Sequence, residues 1–122
     1  MDEDERSRLQ IVVVGPCAAG KTTLVNGLRE QGFASARLVA QEHSGIRDLW
    51  MRRGRPDALI YLDAQVATMN RRQGRADWTE AARAEQLLRL ESARRECDVY
   101  LDTSDLSIPQ VLEAIVRFLQ GT

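Results

Sequence analysis

Residues 9–22 read Leu9-Gln10-Ile11-Val12-Val13-Val14-Gly15-Pro16-Cys17-Ala18-Ala19-Gly20-Lys21-Thr22. The first six form an almost continuous apolar, β-branched run, which is typical of a strand buried on both faces of a parallel sheet. A helix is predicted over residues 20–31, because Leu24, Val25 and Leu28 share one face and Gly32 supplies a stop. The sequence therefore predicts a strand, a glycine-containing loop and a helix in direct succession.

The loop between this strand and helix fits Gly-x-x-x-x-Gly-Lys-Ser/Thr, the phosphate-binding P-loop pattern, at every fixed position. Lys21 is the only lysine of the chain, and the other sixteen basic residues are arginines. A flexible ammonium can follow a terminal phosphate, whereas a planar guanidinium is not an equivalent substitute, so the lone lysine indicates a chemical requirement. The structural alternative is an ordinary glycine-containing turn between strand and helix.

Each part of this loop has an expected role in binding a nucleotide. The backbone N–H groups of residues 16–22 are expected to converge on the phosphates, helped by the positive end of the helix dipole. Lys21 should reach the β- and γ-phosphates, and the Thr22 hydroxyl should be a Mg²⁺ ligand. Cys17 is expected to be a small filler or, alternatively, a redox-sensitive thiol. The complete predicted set is Gly15, Pro16, Cys17, Ala18, Ala19, Gly20, Lys21, Thr22 and Thr23.

Length and charge limit the classes of function. At 122 residues the chain is predicted to be one nucleotide-binding domain over residues 9–122, after a flexible, charged tail over residues 1–8. With net charge −1 and scattered arginines it has no basic patch for nucleic acid, and no apolar run is long enough to span a membrane. Because the acidic N-terminus is unlike a signal peptide, we expect a cytoplasmic protein whose Cys17 and Cys97 are free thiols.

The rest of the chain alternates predicted strands with predicted helices. Strands are expected at residues 36–40, 58–63 and 99–102. Helices are expected from Ser44 to before Gly54, over 64–73, from Thr79 to about Glu96, and from about Pro109 to before Gly121. This pattern predicts an α/β fold with a mostly parallel sheet of about four strands, helices on both faces and right-handed crossovers.

Three segments together resemble the P-loop kinases of small molecules, which include the nucleoside, nucleotide and shikimate kinases. They are residues 15–24, residues 55–64 (Arg-Pro-Asp-Ala-Leu-Ile-Tyr-Leu-Asp-Ala) and residues 97–103 (Cys-Asp-Val-Tyr-Leu-Asp-Thr). The resemblance implies a compact P-loop NTPase fold that uses ATP and Mg²⁺ for phosphoryl transfer. It also implies a mobile lid whose arginines close on ATP, here Arg71, Arg72, Arg75 and, further along, Arg83. The alternative for these arginines is a solvated basic turn.

A carboxylate that serves the metal is expected at the carboxyl end of a strand. Glu42, Asp63 and Asp102 all qualify, and Glu42 is the first choice, as metal partner or as the base that orients an attacking hydroxyl or water. Its alternative role is a favourable charge near the start of the next helix. Asp63 is expected to cap or orient the helix that follows it. His43, the only histidine, is either a polar surface residue or a functional neighbour of Glu42.

The predicted function has two versions. The leading hypothesis is a Mg-ATP-dependent phosphotransferase that acts on a small metabolite or nucleotide. Only one strand and one helix fit between Gly32 and Pro56, so a site for the phosphoryl acceptor is minimal or missing. The alternative is therefore a nucleotide-binding regulatory module or slow NTPase, whose bound state is sensed by a protein partner or in a homodimer. A guanine-reading Asn-Lys-x-Asp segment is absent from the sequence.

Overall fold

The computed structural model describes residues 1–121 and has a four-stranded sheet at its centre. The strands are β1 (Ile11–Val14), β2 (Ala36–Leu38), β3 (Ala58–Asp63) and β4 (Val99–Asp102). Their order in the sheet is β2-β1-β3-β4, and all three pairings are parallel. The predicted α/β fold with a parallel sheet of about four strands is therefore confirmed.

Three of the six helices within residues 1–121 begin at a side chain that caps them. The six helices are α1 (Glu3–Arg8), α2 (Lys21–Glu30), α3 (Val66–Gln73), α4 (Glu80–Arg89), α5 (Glu91–Glu96) and α6 (Ile108–Leu119). Thr79 accepts the Ala82 N–H at the start of α4, and Ser107 forms a capping box with Gln110 at the start of α6. These caps fix where two of the predicted helices begin.

The core lies on both faces of the sheet, because alternate residues of a strand point to opposite sides. On one face Val13 packs in a cluster with Leu28 of α2 and Ile115 of α6. On the other face Val12 packs in a second cluster with Trp50. Helices cover both faces, which explains why the strands are apolar throughout rather than alternating.

The segment between β2 and β3 differs from the sequence prediction. Residues 44–54 form no α-helix, and the segment instead contains two 3₁₀ turns, Gln41–His43 and Leu49–Met51. The buried Gln41 side chain accepts the Trp50 N–H through Oε1 (3.0 Å) and donates through Nε2 to the Ile46 carbonyl (2.6 Å). These bonds occupy backbone groups that a helix would use, so the prediction of a helix here is wrong.

The long helix predicted from Thr79 to about Glu96 is two helices, α4 and α5, which meet at Leu90. Leu90 is fully buried in the second core cluster and has φ −96° and ψ 0°. The bend allows α5 to pack against β3 while Leu90 enters the core. Packing against the sheet, which the periodicity of a single helix does not encode, accounts for the difference.

Residues 1–8 contain α1 where the sequence predicted a flexible tail. Asp2 caps the helix by accepting the Glu5 N–H (2.8 Å), and acidic and basic residues lie at the ends that the helix dipole favours. Arg6 donates to the Gln31 carbonyl (2.7 Å) and lies 5.0 Å from the centre of the Phe33 ring. The segment is therefore a short helix in contact with the end of α2.

Candidate functional site

The predicted P-loop lies at the carboxyl edge of the sheet, between β1 and α2. Gly15 has φ +150°, and a Cβ at this position would lie 1.9 Å from the Leu62 carbonyl oxygen of β3. Only glycine lets the chain leave β1 this close to the neighbouring strand. The close approach fixes the start of the loop directly above the centre of the sheet.

The loop ends at Gly20, directly before the N-terminus of α2. Gly20, the residue before the helix, has φ +99°, and no side chain caps this helix end. The hydroxyl-bearing residues Thr22 and Thr23 are both exposed in the first turn of α2. Uncapped N–H groups and the positive end of the helix dipole make this a favourable place for an anion.

Lys21 and Glu42 form the buried charged centre of the site. The Lys21 ammonium donates to Glu42 Oε2 (2.7 Å) and to the carbonyls of Gly15 (2.7 Å) and Pro16 (3.0 Å). The side chains of Lys21 and Glu42 are only 10% and 5% exposed. Glu42 Oε1 is buried and accepts no hydrogen bond from residues 1–121. Within residues 1–121, Lys21 thus has an ionic partner, whereas Glu42 Oε1 is an acceptor without a donor.

Cys17 connects the loop to α4 through Gln86, a residue that the sequence analysis missed. The Cys17 N–H donates to Gln86 Oε1 (3.0 Å), and Gln86 Nε2 donates to Cys17 Sγ (3.1 Å). Gln86 is 5% exposed and precedes the buried Leu90 by one helical turn. The sequence signal that could have identified Gln86 is its single amide side chain on the buried face of α4. The side chain of His43 also approaches Cys17, with Nε2 3.6 Å from Sγ.

Of the four predicted lid arginines, only Arg72 has a hydrogen bond to the predicted P-loop within residues 1–121. Arg72 donates to the Ala18 carbonyl (2.7 Å) and to the carbonyl and hydroxyl of Thr103 (2.6 and 3.0 Å). Burial and the neighbouring charge of Arg71 lower the pKa of Arg72. Arg71 is exposed, while Arg75 pairs with Asp77 at 2.8 Å. The structure therefore ties Arg72 to the loop and places Arg75 in a local ion pair.

Asp63 is engaged in a separate network, so it has no free carboxylate oxygen for a metal. Both of its oxygens accept from Arg83 Nη2 at 2.8 Å, and Oδ2 also accepts from the Tyr100 hydroxyl (2.6 Å). The residue that precedes α3 is Gln65, not Asp63. The expectation that Asp63 caps α3 is wrong, because its carboxylate binds Arg83 of α4 and the Ala64 N–H instead. Its alternative role in orienting α3 stays a prediction. Asp102, the third candidate, accepts from Gln65 (2.9 Å).

A largely apolar cavity of about 340 Å³ adjoins the loop on the side of α2 and α6. Gly20 and Thr23 form its edge toward the loop, Arg72 and Thr103 form its rim, and Leu106 and Val111 form part of its wall. It is large enough for a planar ring system. The cavity and the predicted P-loop therefore adjoin each other.

Comparisons with known proteins assign no family to this site. The chain matches no protein-family model and no curated protein.

Among residues 1–121, no helix has both the length and the apolar character that crossing a membrane requires. Both cysteines are unpaired, as the sequence predicted.

Proposed function

We propose that this protein has a P-loop NTPase fold and binds a Mg-nucleoside triphosphate, with ATP as the expected nucleotide. Its proposed activity is transfer of the γ-phosphoryl group to a small metabolite or nucleotide. The observation that carries the proposal is Lys21, buried at the uncapped N-terminus of α2 and paired with Glu42. The kinase resemblance of the sequence supports the same activity.

The residues present fit a nucleotide and its metal. A phosphate oxygen can replace a carbonyl or carboxylate as acceptor for the Lys21 ammonium, which makes the present contacts exchangeable. Glu42, with its unpartnered Oε1, and the exposed Thr22 hydroxyl would hold Mg²⁺. The bound metal neutralises charge that develops on the phosphates. Loop N–H groups would fix the phosphates in place, and Glu42 would also orient an attacking hydroxyl.

The apolar cavity beside Gly20 and Thr23 supports a nucleotide over inorganic phosphate as the ligand. Its volume of about 340 Å³ suits a base, and Arg72 at its rim offers a planar cation that can stack on a ring. Arg72 is also bonded to the Ala18 carbonyl within the loop. One side chain could therefore contact both the base and the phosphates.

A second cavity next to Glu42 supports an acceptor site. It has a volume of about 300 Å³ and is lined by Ser44, Arg47, Arg89 and Glu91, among others. Arg89 donates to the Glu42 backbone carbonyl (3.2 Å), so the cavity lies close to the proposed base. Two arginines and one carboxylate give the cavity a net positive lining, which suits an acceptor that carries a phosphate or carboxylate.

ADP release from Mg-ATP tests this proposal, with wild-type protein and Lys21→Ala compared in the presence and absence of pooled nucleosides, nucleotides and hydroxylated metabolites. We expect the pool to stimulate ADP release by the wild type and not by Lys21→Ala. Arg8→Ala, which removes an exposed cation of α1, is the control and should keep wild-type activity. ATP binding without stimulation by any pool fraction would contradict the kinase.

The contact between Gln86 and Cys17 favours a second candidate, a nucleotide-binding regulatory module or slow NTPase. The Gln86 amide occupies the Cys17 N–H that a phosphate would take. Nucleotide binding would therefore release Gln86 and shift α4, which gives a partner or a second copy of the chain a surface to sense. This version predicts tight nucleotide binding, negligible turnover, and an oligomeric state or partner affinity that changes with ATP. Sedimentation with and without ATP measures that change.

A further inference from the structure

Three side chains at the edge of the P-loop combine sulfur, nitrogen and oxygen ligands. Cys17, Glu42 and His43 each contribute one such atom, and these atoms lie within 4.8 Å of one another. We propose that they form a binding site for a borderline-soft divalent cation, with Zn²⁺ as the ion that fits best. The site is separate in chemistry from the Mg²⁺ that accompanies a nucleotide, although it shares Glu42.

The distance between the sulfur and the nitrogen is close to that of a tetrahedral centre. Bonds of about 2.3 Å to sulfur and about 2.0 Å to nitrogen would place those two atoms roughly 3.5 Å apart. Cys17 Sγ and His43 Nε2 are 3.6 Å apart. His43 Nε2 lies 3.8 Å from Glu42 Oε2, the oxygen that also accepts from Lys21, against roughly 3.3 Å for tetrahedral nitrogen and oxygen ligands. This distance is longer than in a tetrahedral centre, so the side chains would move closer together around a bound cation.

The state of Glu42 is an independent indication of a ligand. Its side chain is 5% exposed, and Oε1 is buried without a hydrogen bond from residues 1–121. A buried carboxylate oxygen without a partner is costly, and a cation would satisfy that group. The side chain of His43 is 59% exposed, so a cation can reach the cluster from solvent.

The donor set selects against Mg²⁺ and Ca²⁺, which prefer oxygen ligands, and favours Zn²⁺. On binding, the Cys17 thiol would lose one proton to solvent while sulfur, the neutral His43 imidazole and the Glu42 carboxylate each donate an electron pair. The charge of the site therefore rises by one unit. Three protein ligands leave one tetrahedral position for water.

Gln86 supplies an outer contact that would hold the sulfur in place. Its Nε2 donates to Cys17 Sγ (3.1 Å), and its Oε1 accepts the Cys17 N–H (3.0 Å). Hydrogen bonds of this kind orient a ligand and stabilise the thiolate form. Buried Gln86 thus holds both the backbone N–H and the sulfur of Cys17 in place.

One consequence for the nucleotide site rests on the proposed function. A cation at Cys17 and His43 would occupy Glu42, which is also the proposed partner of Mg²⁺. Zn²⁺ should therefore weaken Mg-ATP binding, and Mg-ATP should weaken Zn²⁺ binding by the same factor.

Titration of the reduced, nucleotide-free protein with Co²⁺ tests the site directly, because Co²⁺ is a spectroscopic substitute for Zn²⁺. We expect one equivalent to bind with a sulfur-to-cobalt charge-transfer band and tetrahedral d–d bands, both removed by Zn²⁺. Cys17→Ser should lose the charge-transfer band. His43→Ala should weaken Co²⁺ binding by more than about 100-fold, because loss of a residue that only orients a metal ligand already lowers metal affinity by about 10- to 100-fold. Cys97→Ser is the matched control and should behave as wild type.

A spectrum without the charge-transfer band, or one that Cys17→Ser leaves unchanged, would overturn the site. Alkylation of the wild type gives a second readout that needs no variant: Zn²⁺ should protect Cys17 and leave Cys97 as reactive as before. Equal alkylation of Cys17 with and without Zn²⁺ would also overturn it. None of these measurements uses a nucleotide, so they separate failure of the metal site from failure of the proposed function. Calorimetric ATP binding at increasing Zn²⁺ tests the competition, and an unchanged affinity would overturn that consequence alone.

Discussion

At the scale of single residues, the candidate site depends on the buried ion pair between Lys21 and Glu42. The ammonium and the carboxylate are 2.7 Å apart and buried, so removing one charge leaves the other without its ionic partner. Lys21→Met should lower the free energy of unfolding by about 3–5 kcal/mol, the typical cost of breaking a buried pair. Urea unfolding at neutral pH measures the change.

The double variant Lys21→Met/Glu42→Gln is the control for this prediction. It removes both charges and should recover most of the lost stability, because neither charge remains buried alone. Both variants should fail to bind ATP. Equal destabilisation of the single and double variants would contradict the view that the ion pair, rather than packing of the lysine stem, is responsible.

Gly15 and Gly20 are both invariant positions of the P-loop pattern, yet they should respond differently to alanine. At Gly15 a Cβ would lie 1.9 Å from a backbone oxygen, whereas at Gly20 nothing lies within 4 Å. Gly15→Ala should therefore cost at least about 3 kcal/mol through overpacking. Gly20→Ala should cost about 1–2 kcal/mol, because only its left-handed backbone is penalised. Thermal unfolding of the two variants measures both values, and similar costs would contradict the collision at Leu62.

At the scale of elements, the sequence predicted strands and helices where local pattern and packing agree. The apolar run of β3 and the capped, strongly amphipathic α6 appear close to their predicted bounds. The prediction failed after β2, where one buried side chain, Gln41, binds backbone groups five and nine residues further along in place of a helix. It also missed the bend at Leu90 and the hydrogen bonds between Gln86 and Cys17. Both depend on the tertiary packing of elements that are distant in sequence. Glu42 was the preferred carboxylate from its position at a strand end, and the structure places it beside Lys21.

Helix α3 carries two adjacent arginines that provide a matched pair of variants. Both side chains lie at the surface, but Arg72 donates to Ala18 and Thr103 whereas Arg71 is hydrogen-bonded to neither. Arg72→Ala should weaken ATP binding by about tenfold, which corresponds to the roughly 1.4 kcal/mol of one charge-assisted contact. Arg71→Ala should leave it unchanged. Calorimetry on both variants is the measurement, and equal losses would indicate a general charge effect instead of a specific contact.

At the scale of the whole molecule, stability at alkaline pH should depend on a tyrosine cluster that joins β3 and β4. The rings of Tyr61 and Tyr100, the only two tyrosines, are stacked with centres 5.6 Å apart. Burial raises the pKa of Tyr61, and the charge of Asp63 adds to the effect. Burial and the hydrogen bond to Asp63 raise the pKa of Tyr100 to about 12. Both phenols are thus protonated in the folded protein at a pH where the unfolded chain ionises them.

The sign of the pH dependence follows from these two tyrosines. In the unfolded chain both phenols titrate near about pH 10, so above that pH the folded state binds more protons than the unfolded state. The stabilisation is fully present below about pH 10 and is lost as pH rises through the folded pKa of Tyr100, about 12. Urea midpoints between pH 8 and 12 should fall accordingly, and Tyr100→Phe should show a shallower fall because one coupled phenol is gone. Phenolate absorbance in the folded wild type should stay low at pH 10, and its full development there would contradict the argument.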